Sequence, residues 1–82
     1  MLSPADIESL LHDLCVEHGF CLPADARAKL REHPPSGVTA FVDAVYREEG
    51  LDPATADRRA YRLVHAAVAQ AFRRSGLQLD DA

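Results

Sequence analysis

The chain has 82 residues and a mass of 9.0 kDa, which fits one domain or part of one and excludes a two-domain enzyme. Hydrophobic residues make up 48% and charged residues 27%, a composition typical of soluble globular chains and not of disordered or membrane proteins. The formal net charge of −4 argues against a general affinity for nucleic acid.

The first predicted helix begins at a capping signal near the N-terminus. Ser3 precedes Pro4, which suits the first helical position, and Asp6 places a negative charge in the first turn. Gly19 is a typical stop signal, so a helix is predicted over residues 4–18. The apolar residues between these signals have helical spacing: Ile7, Leu10, Leu11 and Leu14.

Two shorter helices are predicted in the middle of the chain. The second covers residues 23–33 and ends before Pro34 and Pro35, because a residue that precedes proline is driven out of the helical conformation. The third covers residues 37–49 and is closed by Gly50. Its apolar positions repeat the spacing of the first helix: Val38, Phe41, Val42 and Val45.

The fourth predicted helix is the longest. Asp52 followed by Pro53 is again a cap and a first helical residue, and a continuous helix is predicted over residues 53–75, with Gly76 as its stop. Residues 77–82 are predicted to form a flexible acidic tail, which leaves residues 1–76 as a single helical domain. The apolar stripe of this helix consists of Tyr61, Val64, Val68, Ala71 and Phe72.

The predicted fold is an all-α compact bundle of these four helices, since no stretch alternates with the two-residue period of a strand. An offset of 31 residues aligns the chain with itself and places Gly19 on Gly50 and Arg27 on Arg58. The match indicates two helical hairpins. A duplication and a chance match between two amphipathic helices both remain open as its origin.

The cysteines and histidines near the first helix end have the spacing H-x2-C-x2-H-x2-C, formed by His12, Cys15, His18 and Cys21. All four side chains bind zinc. Steps of three residues on one helix turn the first and last of them in nearly opposite directions, so we predict no metal and no cofactor. The alternative is a structural zinc site on Cys15, His18 and Cys21, with the chain bending at Gly19.

The predicted compartment is the cytoplasm. Residues 1–6 lack the basic and apolar regions of a signal peptide, and no run approaches the ~20 apolar residues of a membrane-spanning helix. Cys15 and Cys21 are therefore expected to be reduced thiols. The sequence also carries no catalytic or phosphate-binding motif, so we predict that the protein is not an enzyme; thiol chemistry at a cysteine beside His12 or His18 is the alternative.

Charge is distributed unevenly along the chain. Residues 1–52 hold ten acids and four bases, whereas residues 53–75 hold one acid and five arginines. Two interpretations are open: the arginines pair within the chain with acids such as Glu48, Glu49 and Asp52, or they form a binding face for an acidic partner. The predicted partner-binding residues are Arg58, Arg59, Arg62 and Arg73.

The predicted function is a small non-enzymatic protein–protein interaction or regulatory domain, of the adaptor, antitoxin, immunity or inhibitor type, which docks through the fourth helix. The alternative is a nucleic-acid-binding module that uses the same helix. A helix-turn-helix is disfavoured, because Asp43, Glu48 and Glu49 on the third helix would repel phosphates. The abundance of alanine and arginine suggests a bacterial source with a GC-rich genome.

Self-association is also predicted. The core is short of large residues, since 14 residues are alanine and none is tryptophan, and the fourth helix is longer than the helix expected to cover it. A homodimer with antiparallel fourth helices would bury the uncovered part. The alternative is a monomer in which the first and third helices together cover the whole stripe. The residues predicted for this contact are Val64, Val68 and Phe72.

Overall fold

The computed structural model of the chain describes residues 3–74, which form four α-helices and one 3₁₀ turn without any strand. The all-α bundle is therefore confirmed. The predicted tail of residues 77–82 and the predicted domain end at residue 76 lie outside the described residues. The elements in chain order are α1 (Pro4–His18), α2 (Ala24–Glu32), α3 (Val38–Glu48), the 3₁₀ turn (Pro53–Thr55) and α4 (Arg58–Arg74).

Helix α1 begins and ends where the sequence predicts. The Ser3 hydroxyl accepts a hydrogen bond from the Asp6 amide at 3.1 Å, and the Asp6 carboxylate accepts one from the Ser3 amide at 3.2 Å. This reciprocal capping box satisfies two amides at the start of the helix. At the other end Gly19 adopts a φ of 77°, a left-handed conformation that favours glycine.

The helices pack as two hairpins. Helix α1 contacts α2, α3 contacts α4, and a contact between α1 and α4 joins the two pairs. Gly50 ends the α3 segment with a φ of 78°, close to the value at Gly19, so both hairpins turn after a left-handed glycine. The predicted hairpin arrangement is present.

One apolar core holds the bundle together, and no polar or charged side chain of residues 3–74 is buried in it. The rings of Phe41 on α3 and Phe72 on α4 meet edge to face with their centroids 6.1 Å apart. The buried residues are Ile7, Leu10, Leu11, Leu14, Leu22, Ala26, Leu30, Val38, Phe41, Val42, Val45, Tyr46, Val64, Val68, Ala69, Ala71 and Phe72.

The predicted continuous helix over residues 53–75 is wrong at its start. The Asp52 side chain caps a single 3₁₀ turn by accepting from the Ala54 amide at 2.9 Å, and the chain is then extended at Ala56, with ψ of 152°. Asp57 accepts from the Ala60 amide at 2.9 Å and starts α4. Two successive aspartate caps therefore break the segment, and α4 has 17 residues, a length of about 25 Å.

The predicted free thiols are also corrected by the structure. Cys15 and Cys21 form a disulfide, with their Cα atoms 4.3 Å apart. The left-handed turn at Gly19 folds the chain back after α1, and this brings Cys21 beside the last turn of the helix. The disulfide closes the connection between α1 and α2.

Candidate functional site

The apolar side of α4 is buried in the core of the bundle. Val64, Val68 and Phe72 are 1%, 0% and 3% exposed, because α1 and α3 both pack against this helix. These three residues were predicted to mediate self-association. That prediction is corrected by their burial within one chain, since none of them offers a surface to a second copy.

The outer side of α4 carries most of its arginines. We call the set of exposed residues Arg59, Arg62, Arg73 and Arg74 the arginine face. Helix α4 contains no acidic residue. Two copies that met through this side of α4 would place arginines against arginines, so the electrostatic repulsion disfavours the predicted antiparallel α4 contact.

The arginine face has no acidic partner within residues 3–74. The ion pairs within residues 3–74 lie elsewhere and join Lys29 to Glu48 at 2.8 Å and Arg31 to Glu8. Glu48 is one of the acids that would neutralise the arginines in the intramolecular interpretation, but its carboxylate hydrogen-bonds Lys29 and raises the pKa of that lysine. The described structure therefore favours the interpretation of the arginines as a free, positively charged surface.

Arg58 differs from the other predicted partner-binding residues. Its Nη2 donates to the Pro53 carbonyl at 2.6 Å and its Nε donates to the Ala56 carbonyl at 3.2 Å. The guanidinium also lies 4.9 Å from the centre of the Tyr61 ring. Arg58 thus holds the 3₁₀ turn against the start of α4, and its contribution is structural in this state.

Tyr61 connects α4 to α3 through a hydrogen bond and a contact between aromatic rings. Its hydroxyl donates to the Asp43 carboxylate at 2.7 Å, and its ring lies 5.4 Å from that of Tyr46. One turn further along, Thr39 Oγ1 and His65 Nε2 are 3.1 Å apart. These two polar contacts join α4 to α3 outside the apolar core.

Burial, and after it the hydrogen bond to Asp43, raise the pKa of Tyr61 to about 12. The Tyr61 hydroxyl ionises more easily in the unfolded chain, where its pKa is near 10.0. The folded state therefore keeps its full stability with respect to this group below pH 10 and loses stability as the pH rises towards 12. We expect alkaline unfolding in this range. A spectrophotometric titration of tyrosinate in the wild type and in Tyr61→Phe measures the pKa of Tyr61. If the wild type contained a tyrosine that ionises near pH 10 and is missing from the variant, the raised pKa of Tyr61 would be contradicted.

A pocket of about 120 Å³ lies beside the disulfide and is lined in part by Glu8, His12 and Arg27. His12 is exposed and His18 lies at the end of α1. Both cysteines are engaged with each other, so neither offers a thiolate to a metal in this state. No group of three metal-binding side chains occurs among residues 3–74.

A second cleft, of about 260 Å³, lies between α3 and the 3₁₀ turn. Its charged residues include Asp43, Asp52 and Arg58, each of which already makes a hydrogen bond to the chain itself. The cleft therefore offers fewer uncommitted polar groups than the arginine face.

One exposed residue of α4 is absent from the predicted binding residues. Leu63 is 54% exposed and lies beside Arg59 and Arg62. Its position outside the apolar stripe of α4 was the available signal. An exposed leucine between arginines gives this side of the helix an apolar contact as well as positive charge.

No protein-family model matches the chain, and neither a search of curated proteins nor a search of solved structures finds a similar protein. No helix within residues 3–74 has both the length and the apolar content needed to cross a membrane.

Proposed function

We propose that the protein is a small non-enzymatic interaction or regulatory domain that binds an acidic surface of another protein through the arginine face. The observation that carries this proposal is the exposure of Arg59, Arg62 and Arg73 without an ion pair to any acid of residues 3–74. An arginine guanidinium is planar and weakly hydrated, and its paired donors suit a carboxylate.

A protein partner is favoured over nucleic acid by the charges that adjoin the arginine face. Asp13 and Glu17 of α1 line the same groove as Gln70 and Arg74 of α4. A nucleic acid that followed α4 would bring its phosphates close to these carboxylates. A folded protein surface can place its acids against the arginines alone, which makes nucleic-acid binding the second candidate.

We also propose that the protein is cytoplasmic. The redox state of Cys15 and Cys21 in cells tests this location. Disulfides are rare in the reducing cytoplasm and common in oxidising compartments. Rapid alkylation of thiols in intact cells, followed by mass spectrometry, distinguishes the two cases: modified Cys15 and Cys21 support the cytoplasm, and unmodified, bonded cysteines contradict it.

The arginine face is tested with an oligoglutamate peptide as a minimal acidic partner. We expect the amide signals of α4 to shift in NMR spectra on titration, and Arg62→Ala to weaken binding about threefold, since one exposed ion pair contributes up to about 1 kcal/mol. Arg47→Ala is the matched control, because Arg47 is an exposed arginine on α3 and the net charge changes equally.

Equal affinities of the Arg62→Ala and Arg47→Ala variants would contradict the proposal, because binding would then follow net charge alone. Duplex DNA is titrated in parallel at several salt concentrations. Tighter binding to DNA than to oligoglutamate, with the same loss in Arg62→Ala, would favour the nucleic-acid module instead.

A further inference from the structure

The exposed side of α4 has the spacing of a helix-packing seam. Its central line of exposed residues is separated by four, three, four and three positions, and consists of Arg59, Leu63, Ala66, Gln70 and Arg73. Every face of a helix contains such a line, along which a second helix can pack, and the side chains that occupy the line decide which partner it accepts. We call this line the outer seam.

The chemistry of the outer seam changes along its length. Arginines stand at both ends, at positions separated by 14 residues or about 21 Å. Between them lie Leu63, which is 54% exposed, the small residue Ala66 and the neutral Gln70. The centre of the seam therefore permits close apolar packing, and its ends provide positive charge.

We propose that the partner of the arginine face is an acidic amphipathic helix that lies along the outer seam. Its acids pair with Arg59 and Arg62 at one end and with Arg73 at the other, two heptads from Arg59. A small or apolar residue of the partner packs on Leu63 over Ala66. This inference rests on the proposed function and adds the form of the partner and the spacing of its acids.

Two features favour a helix over other occupants. The exposed Leu63 and Ala66 form an apolar centre between the charged ends. An amphipathic helix presents acids and a small apolar residue on one face, whereas successive side chains of an extended segment point to opposite sides. A second copy of α4 would oppose Arg59 and Arg73 to further arginines, which electrostatic repulsion disfavours. Charge complementarity and the apolar centre of the seam together fit an acidic helix of another protein.

The test measures fluorescence anisotropy of two labelled peptides with the full chain. The first is an alanine-based helix of about 21 residues with paired glutamates two heptads apart on one face and a leucine between them. The second has the same composition, with the glutamates permuted to all faces. We expect the first peptide to bind about tenfold more tightly than the second, as an interface with a packed centre requires.

Two substitutions locate the contact. Ala66→Trp adds bulk at the centre of the outer seam and should weaken binding of the first peptide about tenfold, while Ala60→Trp, at another exposed alanine of α4, should leave it unchanged. Leu63→Glu places a like charge against the acidic helix and should weaken binding similarly. Both seam positions are exposed, and circular dichroism verifies that each variant folds.

Equal binding of the two peptides, no binding of the first, or no effect of Ala66→Trp and Leu63→Glu would overturn the helical partner. Oligoglutamate binding that depends on Arg62 would in that case still support the proposed function. A stable dimer in sedimentation that Arg59→Glu dissociates, or duplex DNA that displaces the first peptide, would also overturn it by identifying another occupant.

Discussion

Phe41→Ala is expected to lower the free energy of unfolding by about 3 to 5 kcal/mol, the usual cost of truncating a buried phenylalanine. Phe41 is 0% exposed and packs edge to face on Phe72, so its ring joins α3 to α4. A domain of this size draws only about 3 to 5 kcal/mol from its core. The variant should therefore be largely unfolded in buffer, which far-ultraviolet circular dichroism measures directly.

Val16→Ala is the matched control for this experiment. Val16 is 68% exposed on α1, and the loss of its side chain should change the stability by no more than about 0.5 kcal/mol. Urea unfolding curves of the two variants separate a core effect from a general effect of truncation. Similar midpoints for Phe41→Ala and Val16→Ala would show that the ring is not part of a packed interior.

Removal of the disulfide is expected to have the second largest effect. The bond between Cys15 and Cys21 closes a short loop, since the two residues are six positions apart. Such a loop should contribute about 2 kcal/mol by restricting the unfolded chain. Cys15→Ala/Cys21→Ala should therefore unfold at a lower urea concentration than the oxidised wild type.

A thiol reductant provides the control for the disulfide. It should lower the stability of the wild type towards that of the double variant and leave the variant unchanged. Thiol titration of unfolded protein prepared without reductant should find no free cysteine. Two free thiols, together with unfolding curves that do not respond to the reductant, would refute a stabilising bond.

The sequence predicted the local features of the fold well. Ser3, Pro4 and Gly19 act on the backbone within a few residues, and the structure confirms the bounds they indicate for α1. The apolar spacing of α3 was likewise sufficient, because each of its predicted core residues is buried. The predicted start of α4 was wrong because two candidate caps, Asp52 and Asp57, lie within six residues of each other. Sequence spacing alone does not decide which of them starts the helix.

The candidate site was predicted in part. The sequence identified the arginines of the fourth helix and the single acid, Asp57, in the same segment, because charge can be counted along the chain. It left open whether upstream acids such as Glu48 pair with these arginines. It grouped Arg58 with Arg59 and Arg62, however, and the structure separates Arg58 through its bonds to the Pro53 and Ala56 carbonyls. These bonds depend on the 3₁₀ turn, a feature that the prediction of one continuous helix had removed.

By itself the sequence determined the number of helices, their inward-facing residues and the positive charge of the fourth helix, since caps, spacing and charge act over a few neighbouring residues. Only the tertiary structure decided how α4 is covered, whether the cysteines meet and which acid pairs with which base. The cysteines are only six positions apart and meet because the chain reverses at Gly19. The other two outcomes depend on residues far apart in the chain: Val68 is buried because α1 and α3 both reach α4, and Glu48 pairs with Lys29 instead of an arginine because the two side chains meet in the folded bundle.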